Sequence, residues 1–241
     1  MSVLTLSTAT LSRAGGRDAN EDAADHRGGC WVIADGLGGH AGGEVAARIA
    51  VDQVLAALAG AALPSGAALA QAIADAHHAI QDQQARNPRL ERMRTTLVVL
   101  VSDGAQALWA HVGDSRLYHF RGGRLRVQTA DHSVPQALAR AGEIRPDEIR
   151  FHEDRNRLLR TLGNEGEARP TVSATPLALE PGDAFLLCTD GFWEYVTEGE
   201  MEVLLAKSTN ADDWLQALAA RLLARAAPGN DNYTAMAVFV A

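Results

Sequence analysis

The sequence predicts an α+β protein built from layered, largely antiparallel β-sheets. Strand-like segments follow one another in runs and helix-like segments come in pairs, which differs from the regular alternation of parallel β-α-β units. Apolar residues make up 47% of the 241 residues, enough for a buried core. Because no repeat, low-complexity tract or Pro/Ser-rich linker interrupts the chain, we expect one domain over residues 1–241.

The first part of the chain is predicted to hold a buried strand followed by two helices. Residues 31–34 form a short apolar run closed by Asp35-Gly36, the pattern of a strand that ends in a turn. After the glycine-rich segment 38–43, apolar residues recur at helical spacing. Ser65 is placed to cap a second helix, which must end before Pro88.

The rest of the chain alternates between strand-like and helical patterns. Strands are predicted over 96–101, 108–112, 117–120, 171–175, 184–188 and 233–240. A short helix is predicted over 133–141, and further helices within 198–226, where Thr197 and Glu200 have capping-box spacing. The polar, Arg-rich segment 142–166 has no regular period, and we interpret it as an irregular flap.

Charge and hydropathy exclude several classes of partner. A net charge of −8 and an isoelectric point near 5.4 argue against binding to nucleic acid or to an anionic membrane. No apolar run approaches the ~20 residues that span a bilayer, and the N-terminus lacks signal-peptide features. Cys30 and Cys188 lie in predicted strands, and we interpret them as buried free thiols, with a disulfide or a thiolate metal site as the alternative. We therefore expect a cytoplasmic protein.

Five aspartates stand where a predicted strand meets a turn: Asp22, Asp35, Asp114, Asp190 and Asp231. Each alone is weak evidence, because Asp-Gly and Asp-Asn pairs commonly only form turns. If the strand ends converge, however, the carboxylates would repel one another unless a divalent cation lay between them. Oxygen-only ligands favour Mg²⁺ or Mn²⁺ over zinc. The residues alone thus allow an acidic metal site without establishing that the strand ends converge.

Six short motifs follow one another between about residue 10 and the C-terminus. They are Arg17-Asp18-Ala19-Asn20-Glu21-Asp22, Ala34-Asp35-Gly36-Leu37-Gly38-Gly39-His40, Gly113-Asp114-Ser115-Arg116, Asp131-His132-Ser133, Thr189-Asp190-Gly191 and Asp231-Asn232-Tyr233-Thr234. In order and spacing this series resembles the metal-dependent protein phosphatase family, type 2C, and most of all its bacterial branch. The flap segment from Gly142 to Gly163 is also similar to that branch.

The resemblance implies a four-layer α-β-β-α sandwich, in which two antiparallel sheets face each other and a pair of helices covers each. It also implies that four aspartates hold two Mn²⁺ or Mg²⁺ ions, together with the backbone carbonyl of Gly36 and several waters. These four are Asp22, Asp35, Asp190 and Asp231. The implied nucleophile is a water that bridges the two ions, so that no phosphoenzyme forms.

Further roles follow from the same resemblance. Arg17 matches the family's phosphate-binding arginine, whereas a lone arginine would ordinarily be a solvated surface residue. Asp114, together with Asp190, matches the site of a third, weaker metal. The alternative for Asp114 is a structural ion pair with Arg116. Glu21 and its neighbour Asn20 would order the strand and the metal-bound waters.

The motif series leaves two roles unassigned, that of the general acid and that of the flap arginines. Leu37 stands where some eukaryotic relatives have a histidine that is proposed to protonate the leaving alkoxide, so the general acid is unassigned. His40 is expected to be structural. The flap arginines either contact the acidic flank of a phosphopeptide or pair with acidic residues of the flap itself.

The resemblance implies a protein-serine/threonine phosphatase that acts on substrates of a serine/threonine kinase, and we expect a monomer. One alternative is an enzyme with the same phosphatase reaction whose substrates are small phosphate esters. A second alternative is a catalytically inactive pseudophosphatase that binds phosphoproteins. Because the four core aspartates and Arg17 are all present, the inactive alternative is disfavoured.

Overall fold

The computed structural model describes residues 4–38, 42–60 and 62–241. Two antiparallel sheets pack face to face and helices cover both outer faces, which confirms the predicted α-β-β-α sandwich. Among the helices of this described part, none is long and apolar enough to cross a membrane.

The helices and strands are numbered in chain order. The first part contains β1 (Leu6–Arg13), β2 (Ala23–Arg27), β3 (Cys30–Ala34), β4 (Gly36–Leu37), α1 (Gly42–Leu58) and α2 (Gly66–Arg86). The middle contains β5 (Arg94–Thr95), β6 (Leu97–Ser102), β7 (Gln106–Val112), β8 (Arg116–Arg121), β9 (Arg124–Gln128) and α3 (Val134–Ala141). The last part contains β10 (Thr171–Val172), β11 (Leu177–Ala178), β12 (Ala184–Cys188), α4 (Asp190–Trp193), α5 (Glu198–Leu205), α6 (Ala211–Leu223) and β13 (Tyr233–Val240).

The first sheet has the strand order β1-β13-β12-β8-β9, and the second has the order β10-β7-β6-β3-β2. Strand β11 also pairs with β7, and β4 and β5 form a separate two-stranded pair. Three apolar clusters fill the spaces between the four layers. Side chains such as Ile33 and Phe185 pack between the sheets, α1 and α2 cover the second sheet, and α4, α5 and α6 cover the first.

The helix ends follow the local sequence signals. The side chains of Ser65 and Asn210 cap α2 and α6, each accepting a hydrogen bond from a backbone N–H of the first turn, at 3.1 Å and 2.8 Å. Thr197 and Glu200 form the predicted capping box of α5. Helix α3 ends at Gly142, whose φ of 78° lies in the left-handed region that favours glycine.

Some strands differ from the sequence-based expectations. The sequence pattern does not predict β1 or β2, and the second half of β2 is exposed, so it carries no apolar run. The strand expected over 171–175 is reduced to Thr171–Val172, because this edge strand pairs with β7 over two residues only.

The flap, residues 142–166, has little regular structure, in agreement with the prediction. It contains one 3₁₀ segment, Pro146–Phe151, in which Ile149 is buried. Two of its arginines pair outside the flap: Arg150 with Glu198 at 2.9 Å and Arg155 with Glu194 at 2.8 Å. Within the described ranges, Arg145 is the one flap arginine whose ion pair, with Asp147, lies inside the flap. The expectation of pairing within the flap is therefore only partly correct.

Two buried carboxylates of the sandwich are paired with arginines. Arg116 donates to both oxygens of Asp131, at 2.8 Å and 2.7 Å, and both side chains are almost fully buried. Arg121 donates in the same two-pronged way to Asp183, which also lies 3.2 Å from Nε2 of His119. Burial alone would raise the pKa of Asp183, but the hydrogen bonds from Arg121 and the nearby His119 ring hold that pKa well below its usual range.

Candidate active site

A pocket of about 400 Å³ opens where strand ends of both sheets meet. Asp35 directly follows β3, Asp114 lies in the turn between β7 and β8, and Asp190 begins α4 two residues after β12. Asp231 lies two residues before β13. The predicted site residues that line the pocket are Arg17, Asp35, Gly36, Asp114, Asp190 and Asp231.

Asp22 lies behind this pocket and does not line it. The pairing of Ala23 with Ala34 places Asp22 next to Asp35 across the β2–β3 ladder. The residue is buried, and its Oδ2 accepts a hydrogen bond from the hydroxyl of Thr189 at 3.0 Å. The structure thus brings all five predicted aspartates to one end of the sandwich, where Asp22 is buried behind the residues that line the pocket.

The glycines of both Asp-Gly pairs are required by close backbone packing. A side chain at Gly191 would collide with the backbone of Asn232. A side chain at Gly36 would collide with the backbones of Glu21 and Gly43. Neither glycine has a φ in the left-handed region, so close approach of the chain segments, and not turn geometry, excludes other residues here.

The pKa values of the clustered carboxyl groups are raised. Burial raises the pKa of Asp35 well above its usual range, and the charges of Asp22 and Asp190 add to the effect. Burial and the charge of Asp190 likewise raise the pKa of Asp114. Burial is also the main cause that raises the pKa of Asp22 and of Asp190, each to about 7. Without a compensating cation, part of the cluster is therefore protonated near neutral pH.

The donor atoms suit a hard divalent cation. Oδ1 of Asp22 and Oδ1 of Asp190 are buried and have no hydrogen-bond partner within the described ranges. A buried carboxylate oxygen without a partner costs free energy, and a cation would remove that cost. In the described part of the chain, no three acidic, histidine or cysteine side chains are grouped closely enough to hold a metal ion by themselves. A bound cation would therefore need further oxygen ligands, such as the Gly36 carbonyl and water.

Arg17 reaches the pocket from the loop between β1 and β2. Its Nη2 donates to Oδ2 of Asp231 at 3.1 Å, and about half of the side chain is exposed. A guanidinium group carries five N–H donors in a planar fork, so the contact with Asp231 is compatible with a second contact to phosphoryl oxygens. This position fits the predicted phosphate-binding role.

Asn232 is a structural residue of the site to which the sequence analysis gave no role. Its Oδ1 accepts a hydrogen bond from the backbone N–H of Glu21, and its Nδ2 donates to the carbonyls of Ala14 and Ala19, each at 2.8 Å. One side-chain amide thus holds the β1–β2 loop against the start of β13. Glu21 lines the pocket as well, and burial raises the pKa of its carboxyl group.

The alternative ion pair for Asp114 is wrong. Arg116 binds Asp131 and not Asp114, so its charge is already matched by another carboxylate. The backbone carbonyl of Asp114 accepts a hydrogen bond from Nε1 of Trp193 at 3.0 Å, which fixes the turn. Among charged groups, Asp190 has the largest effect on the pKa of Asp114, so these two carboxyl groups lie close enough to interact.

The remaining wall of the pocket combines an apolar residue with part of the flap. Leu37 lines the pocket, together with Asn156 and Leu158 of the flap. No histidine lines it in the described part of the chain, and His40 lies outside the described residues. The flap was predicted only as a segment, because an irregular stretch gives no period from which individual side chains can be oriented.

The fold and the site together define a class of protein. A sandwich with aspartates and an arginine at converging strand ends is suited to metal-dependent chemistry on phosphate groups. The family model described as "Protein phosphatase 2C" matches residues 13–227. The chain belongs to the protein phosphatase 2C family, and the relatives it matches include bacterial serine/threonine phosphatases.

Both curated relatives and solved structures are similar over nearly the whole chain. The serine/threonine phosphatase stp of Listeria monocytogenes is 32% identical over 214 residues, which cover 86% of this chain and 82% of the relative. The crystal structure of the Mycobacterium tuberculosis serine/threonine phosphatase PstP/Ppp has a TM-score of 0.86 and 33% identity, covering 97% of this chain and 98% of that one. A catalytic domain of PstP in complex with two manganese ions has a TM-score of 0.84 and 31% identity, covering 98% and 99%.

Proposed function

We propose that this chain hydrolyses phosphoserine and phosphothreonine in proteins, using divalent cations held by Asp22, Asp35, Asp190 and Asp231. The observation that carries the proposal is the convergence of buried carboxylates with raised pKa values at a pocket that also holds Arg17. The two manganese ions in the structure of the similar PstP domain support Mn²⁺ as the cation. Mg²⁺ takes the same oxygen ligands and remains a candidate.

Each pocket residue receives a defined task in this proposal. When bound, the cations would supply Lewis-acid activation of a water molecule and would offset the charge of the phosphoryl group. Asp114 and Asp190 would hold a third, weaker-bound cation, and the backbone carbonyl of Gly36 would be a further ligand. Arg17 grips and orients the phosphoryl oxygens. Asn232 fixes the loop that carries Arg17.

Water is the proposed nucleophile, so no phosphoenzyme is expected. Cys30 and Cys188 lie inside β3 and β12, are fully buried, and do not line the pocket. Burial raises the pKa of Cys30 to about 12 and also raises that of Cys188, so both thiols stay protonated at neutral pH. A protonated buried thiol is a poor nucleophile, which supports direct attack by water.

The biological setting is part of the proposal. We infer one catalytic domain over residues 1–241 that acts as a monomer in the cytoplasm, on proteins phosphorylated by a serine/threonine kinase. The two sheets share one apolar interior, which supports a single domain. Two free buried thiols are typical of a reducing compartment.

An assay on two substrates tests the proposal. Purified protein would be incubated with a phosphothreonine peptide and with para-nitrophenyl phosphate, in Mn²⁺, in Mg²⁺ and in EDTA. We expect cation-dependent release of phosphate that EDTA and Asp190→Asn abolish. The matched control Asp82→Asn, which changes an exposed aspartate of α2, should retain the wild-type rate.

Two other outcomes would contradict the proposal. Hydrolysis of para-nitrophenyl phosphate without hydrolysis of any phosphopeptide would favour small phosphate esters as substrates. Binding of the phosphopeptide without turnover in either cation would favour a pseudophosphatase.

A further inference from the structure

A second cavity, of about 620 Å³, lies beside the catalytic pocket, and we call it the flap cleft. One wall comes from the flap and the opposite wall from the end of α4, the segment that follows it and the chain after α6. The flap wall contains Arg150, Phe151 and Arg155, and the opposite wall contains Glu194, Tyr195 and Arg225. The catalytic proposal assigns no role to this cleft.

The flap cleft and the catalytic pocket are lined by residues that are neighbours in the chain. Arg155 lines the cleft, and the next residue, Asn156, lines the pocket. On the other side, Asp190 lines the pocket, and Glu194 lines the cleft one helical turn later, with its backbone N–H bonded to the Asp190 carbonyl. An extended chain advances about 3.3 Å per residue. A polypeptide with its phosphorylated residue in the pocket therefore reaches the cleft within a few residues.

The charges of the cleft are already matched inside the protein. Arg150 donates twice to Glu198, at 2.9 Å and 3.0 Å, and Arg155 donates to Glu194 at 2.8 Å. Arg225 donates to both oxygens of Glu200, at 2.7 Å each. Since every arginine of the lining has a carboxylate partner, the cleft offers little net attraction to an acidic segment. The pairs of Arg150 and Arg155 instead connect the flap wall to the opposite wall.

Phe151 gives the cleft an apolar contact surface. Its side chain is 78% exposed, although the two residues before it, Ile149 and Arg150, are buried or nearly so. The backbone is thus anchored while the ring stays at the rim of the cleft. Tyr195, on the opposite wall, is half-buried. Of the large apolar residues that are exposed in the described ranges, Phe151 is the most exposed and lines a cavity next to the catalytic pocket.

We propose that the flap cleft binds an aliphatic or aromatic side chain of the phosphoprotein, located a few residues from the phosphorylated residue, and thereby selects substrates. The proposal rests on the proposed phosphatase function and specifies its substrate class. The occupant is apolar because the arginines are paired with carboxylates, the rim carries the exposed ring of Phe151, and a concave site that contains aromatic side chains is typical of an anchor pocket.

The test is a phosphothreonine peptide series in which each flanking position carries leucine, alanine or aspartate in turn. We expect the wild type to prefer leucine at one position by about tenfold in kcat/KM, the scale of one apolar side chain in a pocket. Phe151→Ser should remove that preference, and the loss should appear mainly in KM. The control Leu223→Ser changes another exposed apolar side chain, on α6, and should keep the wild-type preference.

A binding measurement separates this proposal from the catalytic one. Fluorescence anisotropy with a labelled phosphopeptide on the inactive variant Asp190→Asn should show the same tenfold leucine preference, lost when Phe151→Ser is added. The proposal is overturned if leucine and alanine peptides behave alike, or if aspartate is preferred at every position. It is also overturned if Phe151→Ser lowers the kcat/KM of para-nitrophenyl phosphate as much as that of the leucine peptide, because that small ester does not reach the cleft.

Discussion

Two groups of buried carboxylates in this molecule have opposite surroundings. Asp131 and Asp183 each receive a two-pronged hydrogen bond from an arginine, and the pKa of Asp183 is held well below its usual range. The carboxylates at the strand ends have other carboxylates as neighbours, and the pKa values of Asp22 and Asp190 are raised to about 7. The chain thus supplies a buried or half-buried arginine to each carboxylate of the first group. Of the strand-end aspartates in the described ranges, only Asp231 pairs with an arginine, the half-exposed Arg17.

This difference distinguishes residues that stabilise the fold from residues that take part in catalysis. A paired buried carboxylate stabilises the folded state only with its partner, and loss of one partner leaves an uncompensated charge. A cluster of unpaired carboxylates is destabilising by itself, and a protein retains such a cluster where an external cation uses it. Substitutions in the two groups should therefore change different quantities.

The largest expected effect is on catalysis in the unpaired group. Asp22→Asn removes one charge next to Asp35 and Asp190, and we expect kcat to fall by about 10³-fold, which corresponds to about 4 kcal/mol in the activation free energy. The free energy of unfolding in EDTA should not fall, since a repulsive charge is lost. Steady-state kinetics in Mn²⁺ and urea unfolding in EDTA would measure the two quantities. If Asp22→Asn lost stability but kept full activity, Asp22 would belong with the residues that stabilise the fold, and this account would be contradicted.

The paired group should give the opposite result. Asp131→Asn leaves the guanidinium of Arg116 buried without its carboxylate, and we expect a loss of about 3 kcal/mol in the free energy of unfolding. Urea unfolding of the variant and the wild type measures this loss. Any change in kcat, measured under conditions where the variant is fully folded, should be much smaller than that caused by Asp22→Asn. A stability equal to that of the wild type would contradict the structural role.

A smaller effect is expected from Arg17, which belongs to the pocket but is half-exposed. Arg17→Ala should lower kcat/KM by about 30-fold, equivalent to about 2 kcal/mol, because one charge-assisted contact to the phosphoryl group is lost. Arg17→Lys should recover only part of this loss, since an ammonium group cannot form the fork. Both variants should bind Mn²⁺ with unchanged affinity by calorimetry. Equal kcat/KM values for lysine and arginine would contradict the two-pronged contact.

The smallest effect is a pH dependence of stability in the cation-free protein. The ordinary pKa of aspartate in an unfolded chain is about 3.9, whereas the folded values for Asp22 and Asp190 are about 7. Between these values the folded state binds more protons than the unfolded state, so the contribution to stability falls as the pH rises through this window. Urea midpoints in EDTA should decrease from pH 5 to pH 8, and Asp22→Asn should reduce the slope. A flat profile would indicate that the cluster is not coupled to folding.

Local chemistry allowed much of the fold to be predicted. Ser65, Asn210 and the Thr197–Glu200 pair act within one helical turn, so their spacing in the sequence already contains the contact. The same holds for the strands that are buried on both faces, such as β3 and β12, because their apolar runs are continuous. Strand β2 was missed because only its first residue is fully buried.

The site was predictable as a list of residues but not as a set of contacts. The motifs identified the aspartates and Arg17, whereas the pairing of Arg116 with Asp131 joins residues 15 apart in the chain and was missed. The role of Asn232 depends on a contact across 211 residues. The partners of Arg150 and Arg155 lie after α4, and the flap cleft that these arginines line has no local sequence signal. Such contacts depend on tertiary packing, which spacing along the chain does not encode.

Isothermal titration of Mn²⁺ into the cation-free wild type and into Asp190→Asn, in two buffers of different ionisation enthalpy, tests the central claim most directly. We predict that the wild type binds Mn²⁺ at pH 7 with release of protons, because a cation displaces protons from the carboxyl groups of Asp22 and Asp190, whose pKa values are raised to about 7. In Asp190→Asn the affinity should fall by at least about tenfold, with fewer protons released. Absence of binding to the wild type, or binding with no proton release and no effect of Asp190→Asn, would contradict the account.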